Sequence, residues 1–245
     1  MNICIPVPVE TNEIHQLKKE IEELLKLRPN IIEFRLDYIK DIESLTTHFL
    51  KELLTFIGVK IPVIFTFRKF SEGGKLDIEN KKRYDIINQV INLSPTYVDI
   101  EMDNDDEFLQ NAIQKASNKN VKIIFSYHNF DKTPDYETVI EILSKFKAKF
   151  DKLTVNLEKS PSNYLIKLIF YAKNFEDNII PLRICRELGT ENQKIISFCM
   201  GELGILSRIF CLKAGSYLTY GSYKEQTAPG QISITIIREI LKYVS

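Results

Sequence analysis

The sequence predicts an α/β fold of the (β/α)8 type, a TIM barrel in which eight parallel strands are ringed by helices. Three observations carry this expectation. The length of 245 residues is close to that of one such barrel. Short β-rich runs alternate with amphipathic helical stretches from end to end, which is the pattern of βα units joined by helical crossovers. The runs number eight: residues 3–9, 31–37, 63–68, 97–102, 121–128, 152–157, 194–200 and 217–222.

The helical stretches are read from their spacing. Ile14, Leu17, Ile21, Leu24 and Leu25 recur on one face after the first run. Tyr136, Val139, Ile140, Leu143 and Phe146 do so before the sixth, behind a Thr133-Pro134 start signal. Ile232, Ile236, Ile237, Ile240, Leu241 and Val244 form a last helix. Between Glu158 and Gln193 a helical stretch is followed by IIPLRICRELG, which fits another strand or an extra helical turn, and residues 175–193 are read as an insertion ahead of strand seven. No linker, low-complexity tract or long repeat divides the chain, so residues 1–245 are expected to form one barrel domain.

Composition bounds the function. A hydrophobic fraction of 44% and a charged fraction of 27% are those of a globular protein. Formal net charge is zero, so no long-range field draws the chain to nucleic acid or to an anionic membrane, and a small polar metabolite is the natural partner. MNICIPVPVE has neither a basic n-region nor an apolar h-region, and no long uncharged apolar run follows, so a cytoplasmic protein is expected. Cys4, Cys185, Cys199 and Cys211 lie in apolar surroundings without a C-x-x-C pair and read as buried thiols. Three histidines without metal-ligand spacing argue against a zinc site.

The functional signal lies in the strands. Alternate strand residues share a face, which groups Glu33 with Arg35 and Asp37, Thr66 with Arg68, Asp99 with Glu101, and Ser126 with His128. In the sixth run it groups Lys152 with Thr154 and Asn156. For any one strand such a face would simply meet solvent. Parallel sheets are covered on both sides, however, so five successive polar faces must look into the barrel. Unpaired charge there would cost several kcal/mol per group, on the order given for buried ions. Active sites of this fold sit at the C-terminal strand ends, the place of Asp37, Arg68, Glu101 and His128.

A lysine inside a barrel suggests covalent chemistry. Desolvation and neighbouring cations turn an ammonium into an amine able to attack a ketone, and the iminium then acidifies the adjacent carbon. His128 is suited to take that proton and deliver it to a leaving hydroxyl. The arginines add recognition of a carboxylate or of vicinal hydroxyls. Together they describe a lyase without a cofactor, acting on a polyhydroxylated keto acid. His15 and His48 lie in helical stretches, and Lys69, Lys132 and Lys159 read as surface charges.

Six segments in order resemble the motifs of type I 3-dehydroquinate dehydratases. They are Glu33-Phe34-Arg35-Leu36-Asp37; Thr66-Phe67-Arg68 with Glu72-Gly73-Gly74; Val98-Asp99-Ile100-Glu101; Ser126-Tyr127-His128-Asn129-Phe130; Met200-Gly201-Glu202-Leu203-Gly204 with Ser207-Arg208; and Ala228-Pro229-Gly230-Gln231. The resemblance implies a homodimeric hydro-lyase that converts 3-dehydroquinate to 3-dehydroshikimate on the route to chorismate. It implies a Schiff base on Lys152, proton transfer by His128, and Glu72 bonded beside that histidine. By the same resemblance Glu33, Arg35 and Arg68 hold the ring hydroxyls, and Arg208 holds the carboxylate. Thr227 and Gln231 belong to a closing loop, and Phe198 and Met200 pack beside the lysine.

Three features depart from the family pattern: Lys152-Leu153-Thr154 where Lys-Ile/Val-Ala is usual, Thr227 in place of serine, and the 175–193 segment. A fused dehydrogenase is not expected, since the chain ends one helix after Gln231 and has no G-x-G-x-x-G unit. The alternatives are a Schiff-base aldolase on the same barrel and a non-catalytic barrel. The first would bring phosphate to the Gly201-Glu202-Leu203-Gly204 and Gly221-Ser222-Tyr223-Lys224 loops, where Glu202 would repel it. The second would be expected to lack Lys152 or His128.

Overall fold

The computed structural model describes residues 1–58, 61–157, 164–191, 193–224 and 226–243. Its strands are β1 (Asn2–Pro8), β2 (Ile31–Arg35), β3 (Val63–Thr66), β4 (Tyr97–Glu101), β5 (Lys122–His128), β6 (Leu165–Tyr171), β7 (Lys194–Met200) and β8 (Leu218–Tyr220). The helices between and after them are α1 (Ile14–Lys26), α2 (Thr47–Ile57), α3 (Asn80–Asn92), α4 (Asp106–Lys119), α5 (Tyr136–Thr154), α6 (Ile179–Leu188), α7 (Ile205–Ala214) and α8 (Ile234–Tyr243). The strands run in the order β7-β6-β5-β4-β3-β2-β1-β8, and every paired neighbour is parallel. The Tyr217 N–H donates to the Ile195 carbonyl at 2.7 Å across the remaining seam, bringing β8 against β7. This is the expected (β/α)8 barrel.

The outward faces of the strands meet the buried stripes of the helices: Leu17, Ile21 and Leu24 on α1, Ile86, Ile87, Val90 and Ile91 on α3, and Ile234, Ile237 and Leu241 on α8. The four cysteines are buried and unpaired. Among the described residues no helix is long and apolar enough to cross a membrane.

One strand is misplaced by the sequence reading, and the physical reason is visible. Residues 152–154 are not strand but the last turn of α5, which is 19 residues long. The apolar series that begins at Val139 and Phe146 continues through Phe150 and Leu153, so the helix keeps its buried face for two further turns. Thr154 bonds back to the Phe150 carbonyl at 2.9 Å, and Asn156 is exposed. The sixth strand is instead LIKLIFY, an almost wholly apolar run broken by Lys167. Residues 175–193 are no insertion: a single turn from Phe175 to Asn178 leads into α6, the crossover helix that any βα unit needs. Glu158 and Lys159, from the same misread stretch, lie outside the described residues, as does Val244.

An aromatic cluster sets where α5 stops and β6 begins. Phe125 on β5 meets Phe146, Phe150 and Tyr164 at ring centroid distances of 5.0, 5.7 and 5.6 Å, and Phe150 meets Tyr164 at 4.5 Å. Phe125→Ala should therefore destabilise the barrel by about 3–5 kcal/mol, the usual cost of emptying a buried phenylalanine site. Urea unfolding measures it, and a loss under about 1 kcal/mol would show that the cluster does not hold this junction.

Candidate active site

The inward parity of β2 to β6 carries the polar residues, and register stacks them. Arg35 lies beside Thr66, Thr66 beside Asp99, Glu101 beside Ser126, and Ser126 beside Lys167. All are buried, and each finds a partner. Arg35 forks onto Asp37, with Nε and Nη2 each 2.8 Å from a carboxylate oxygen. Asp37 also accepts from the Arg68 and Lys75 N–H groups at 3.3 and 3.2 Å, so it ties β2 to the loop that carries Glu72. Arg68 reaches Asp99 and Glu101 at 2.8 Å each, and Glu101 takes Arg83 of α3 at 2.7 Å through its other oxygen.

Lys167 completes this network. Its Nζ donates to Asp99 Oδ2 at 2.9 Å and to the Tyr220 hydroxyl at 3.2 Å, with Glu33 Oε1 at 3.8 Å. Glu33 accepts from Thr66 at 2.7 Å and from Tyr220 at 3.3 Å. Burial alone would raise the Asp99 carboxyl, but Arg68 and Lys167 outweigh it and bring it down to about 2, so the residue is a fixed anion at neutral pH.

His128 ends β5 above this layer. Glu72 Oε2 accepts from the His128 backbone N–H at 2.9 Å and stands 2.9 Å from Nδ1. With one oxygen already accepting from the backbone, the consistent assignment has Nδ1–H donating and leaves Nε2 as the basic nitrogen. Burial, then the charges of Arg68, Lys167 and Arg35, hold the imidazole well below its ordinary value, in the neutral form a base requires. Burial pushes the Glu72 carboxyl up to about 8.

These groups line a cavity of about 360 Å³ at the C-terminal end of the barrel. Its polar wall is Glu33, Arg35, Arg68, Glu72, His128 and Lys167, and its apolar wall is Ile169, Phe198 and Met200. Thr227 and Gln231 line it from the loop after β8, bonded to one another at 2.8 to 3.2 Å. That loop rests on the loop after β7: Gly201 N–H donates to the Pro229 carbonyl at 3.2 Å. Gly230 has φ +74° and lies so close to Gly201 that a Cβ would collide with its carbonyl.

Arg208, on α7, is 1% exposed, and no carboxylate pairs with it among the described residues. Its Nη2 donates to the Pro229 carbonyl at 3.0 Å, its Nε has no partner, and its guanidinium stacks 4.6 Å from the Phe198 ring centroid. Burial lowers it to about 10. A buried cation facing a cavity without its anion is a receptor for one.

Nine of the ten residues singled out from the sequence meet at this cavity: His128, Glu72, Glu33, Arg35, Arg68, Arg208, Thr227, Gln231 and Met200. Lys152 does not. Its side chain is 76% exposed on α5 and pairs with Asp106 at 3.4 Å, outside the barrel. The lysine inside is Lys167, whose signal in the sequence was a single cation in the middle of an apolar strand run. Tyr220 was also missed, because a tyrosine in a β-rich run reads as packing. His15 and His48 are exposed, as expected.

The family model for type I 3-dehydroquinase matches residues 3–245. The 3-dehydroquinate dehydratase of Methanococcus maripaludis is 32% identical over 243 residues, covering 99% of each chain. That of Thermococcus onnurineus is 30% identical over 227 residues, covering 93% of each. The crystal structure of type I 3-dehydroquinate dehydratase from Clostridium difficile with covalently modified comenic acid superposes with a TM-score of 0.82 at 28% identity, covering 99% of this chain and 92% of that one. With a family match over nearly its whole length, the chain belongs to the type I 3-dehydroquinases.

Proposed function

We propose that this enzyme is a hydro-lyase that removes water from 3-dehydroquinate, through an imine on Lys167, to give 3-dehydroshikimate. The observation that carries the reading is the position of Lys167: a lysine buried in the barrel, at the floor of a cavity that also presents a neutral histidine and an unpaired arginine. Family membership supports the reaction, and the covalently modified ligand in the Clostridium difficile relative supports a covalent route.

The chemistry follows from the groups present. Arg208 takes the substrate carboxylate, while Glu33, Arg35 and Arg68 face the ring hydroxyls. His128 takes a proton from Lys167, and the freed amine adds to the ketone carbon; the histidine then returns that proton to the carbinolamine hydroxyl, which leaves as water and gives an iminium whose charge the Asp99 carboxylate balances. His128 Nε2 removes a proton from the carbon next to the iminium, and the electron pair moves into an enamine. The enamine returns its electrons as the ring hydroxyl departs, protonated by the same histidine. Water then adds to the conjugated iminium and restores the ketone and the protonated lysine. The net change is loss of one water. We also propose a homodimer working in the cytoplasm. Family resemblance supports the dimer, as do the exposed side chains of Phe175 and Leu203, on two turns that Asn178 ties together, and of Ile179 at the start of α6. The cytoplasmic location rests on the sequence reading and on a biosynthetic role.

Incubation with 3-dehydroquinate, borohydride reduction and peptide mapping should place the adduct on Lys167. Lys167→Ala should lose turnover by on the order of a thousandfold or more, with Lys152→Ala within about twofold of wild type, the usual range for a solvated surface lysine. An adduct on Lys152, or normal turnover without Lys167, would refute the assignment. Quinate, a cyclic carboxylate, should raise the melting temperature of the wild type, and Arg208→Met should abolish that rise. It should leave the free protein as stable or up to a few kcal/mol more stable, because an unpaired buried charge is removed. Protection by quinate that survives in this variant would place the carboxylate elsewhere.

A further inference from the structure

We infer that the Tyr220 hydroxyl is a further working group of this site: it fixes the Lys167 rotor so that the amine lone pair points into the cavity. The inference rests on the reading of Lys167 as the nucleophile and adds a requirement to it.

Once Lys167 has given up a proton in the first step of the proposed reaction, its nitrogen has the Cε bond, two N–H bonds and one lone pair. Two hydrogen-bond acceptors lie within reach of Nζ, Asp99 Oδ2 at 2.9 Å and Tyr220 Oη at 3.2 Å. Glu33 Oε1, at 3.8 Å, is beyond hydrogen-bond distance. When both N–H bonds are donated to these two acceptors, the remaining tetrahedral position holds the lone pair. Lys167 and Tyr220 both line the cavity, and on this inference that position opens into it. With Asp99 alone, one N–H is held but the second N–H and the lone pair can exchange places, so the lone pair is no longer confined to the cavity side.

Tyr220 can accept only if its own proton is directed elsewhere. It donates to Glu33 Oε1 at 3.3 Å, and Glu33 is held in turn by the Thr66 hydroxyl at 2.7 Å. Burial, reinforced by the charge of Glu33, keeps the phenol well above its ordinary value, so it stays a neutral O–H that donates on one side and accepts on the other. β8 supplies the geometry: Tyr220 is 4% exposed and pairs in register with Cys4 on β1, which locks its backbone to the barrel. Phenylalanine would fill the same space and lose only this oxygen.

Tyr220→Phe is the test, read by rapid-quench borohydride trapping in a single turnover beside steady-state kinetics. Trapping at Lys167 should slow by about ten- to a hundredfold, the scale set by misorienting a reacting group, and kcat should fall with it. KM should stay within about twofold, and far-UV circular dichroism should match the wild type. A variant that traps at the wild-type rate, while the wild type itself is labelled on Lys167, overturns the role of Tyr220 and leaves the nucleophile standing. A rise in KM at unchanged trapping rate also overturns it, making Tyr220 a wall of the binding site. Absence of a Lys167 adduct in the wild type overturns both.

Discussion

Charge inside a barrel must be paired. An isolated ion taken from water costs several kcal/mol even after relaxation, and this interior holds Glu33, Arg35, Asp37, Arg68, Asp99, Glu101 and Lys167 together, with Arg83 entering from α3. The chain meets that constraint with alternating signs: Arg83 to Glu101, Glu101 to Arg68, Arg68 to Asp99 and Asp99 to Lys167, each at 2.7 to 2.9 Å. Five parallel strands in fixed register are what make the ladder possible, because each places its polar residue beside that of the next. The ladder in turn holds the site rigid, since no member moves without stripping a neighbour of its partner.

Two groups that line the cavity stand outside the ladder. His128 shares a carboxyl with its own backbone and, buried among Arg68, Lys167 and Arg35, stays neutral. Arg208 stands across the cavity with a carbonyl and an aromatic face but no anion among the described residues. One end of the pocket thus asks for a carboxylate and the other presents an amine and a base. A cyclic keto acid with hydroxyls is the complement of that arrangement, and this is the substrate class of the family to which the chain belongs.

Much of this was legible in the sequence because polar residues at every second position, repeated in consecutive helix-separated strands, can be accommodated only inside the barrel. Glu33 with Arg35, Thr66 with Arg68, Asp99 with Glu101 and Ser126 with His128 all face inward as that period requires. The lysine inside the barrel escaped for a physical reason. Near Lys152 a polar residue falls at every second position, which imitates a strand, whereas Phe146, Phe150 and Leu153 carry the helical stripe that actually prevails. Near Lys167 there is no alternation to see, because the apolar residues of β6 fill both its faces: Leu168 and Phe170 are turned to the helices, and Ile169 lies in the cavity. Missing that strand also made α6 look like an insertion. Networks such as that of Tyr220 depend on distances between strands far apart in sequence, and no local pattern encodes them.

Lys167 thus belongs to one coupled network of buried charges rather than to a set of independent pairs. A double-mutant cycle measures this directly, with unfolding free energies of wild type, Asp99→Asn, Lys167→Met and the double variant. Coupling predicts that the double variant loses less than the sum of the single losses, by more than about 1 kcal/mol. Additivity within about 0.5 kcal/mol would contradict it.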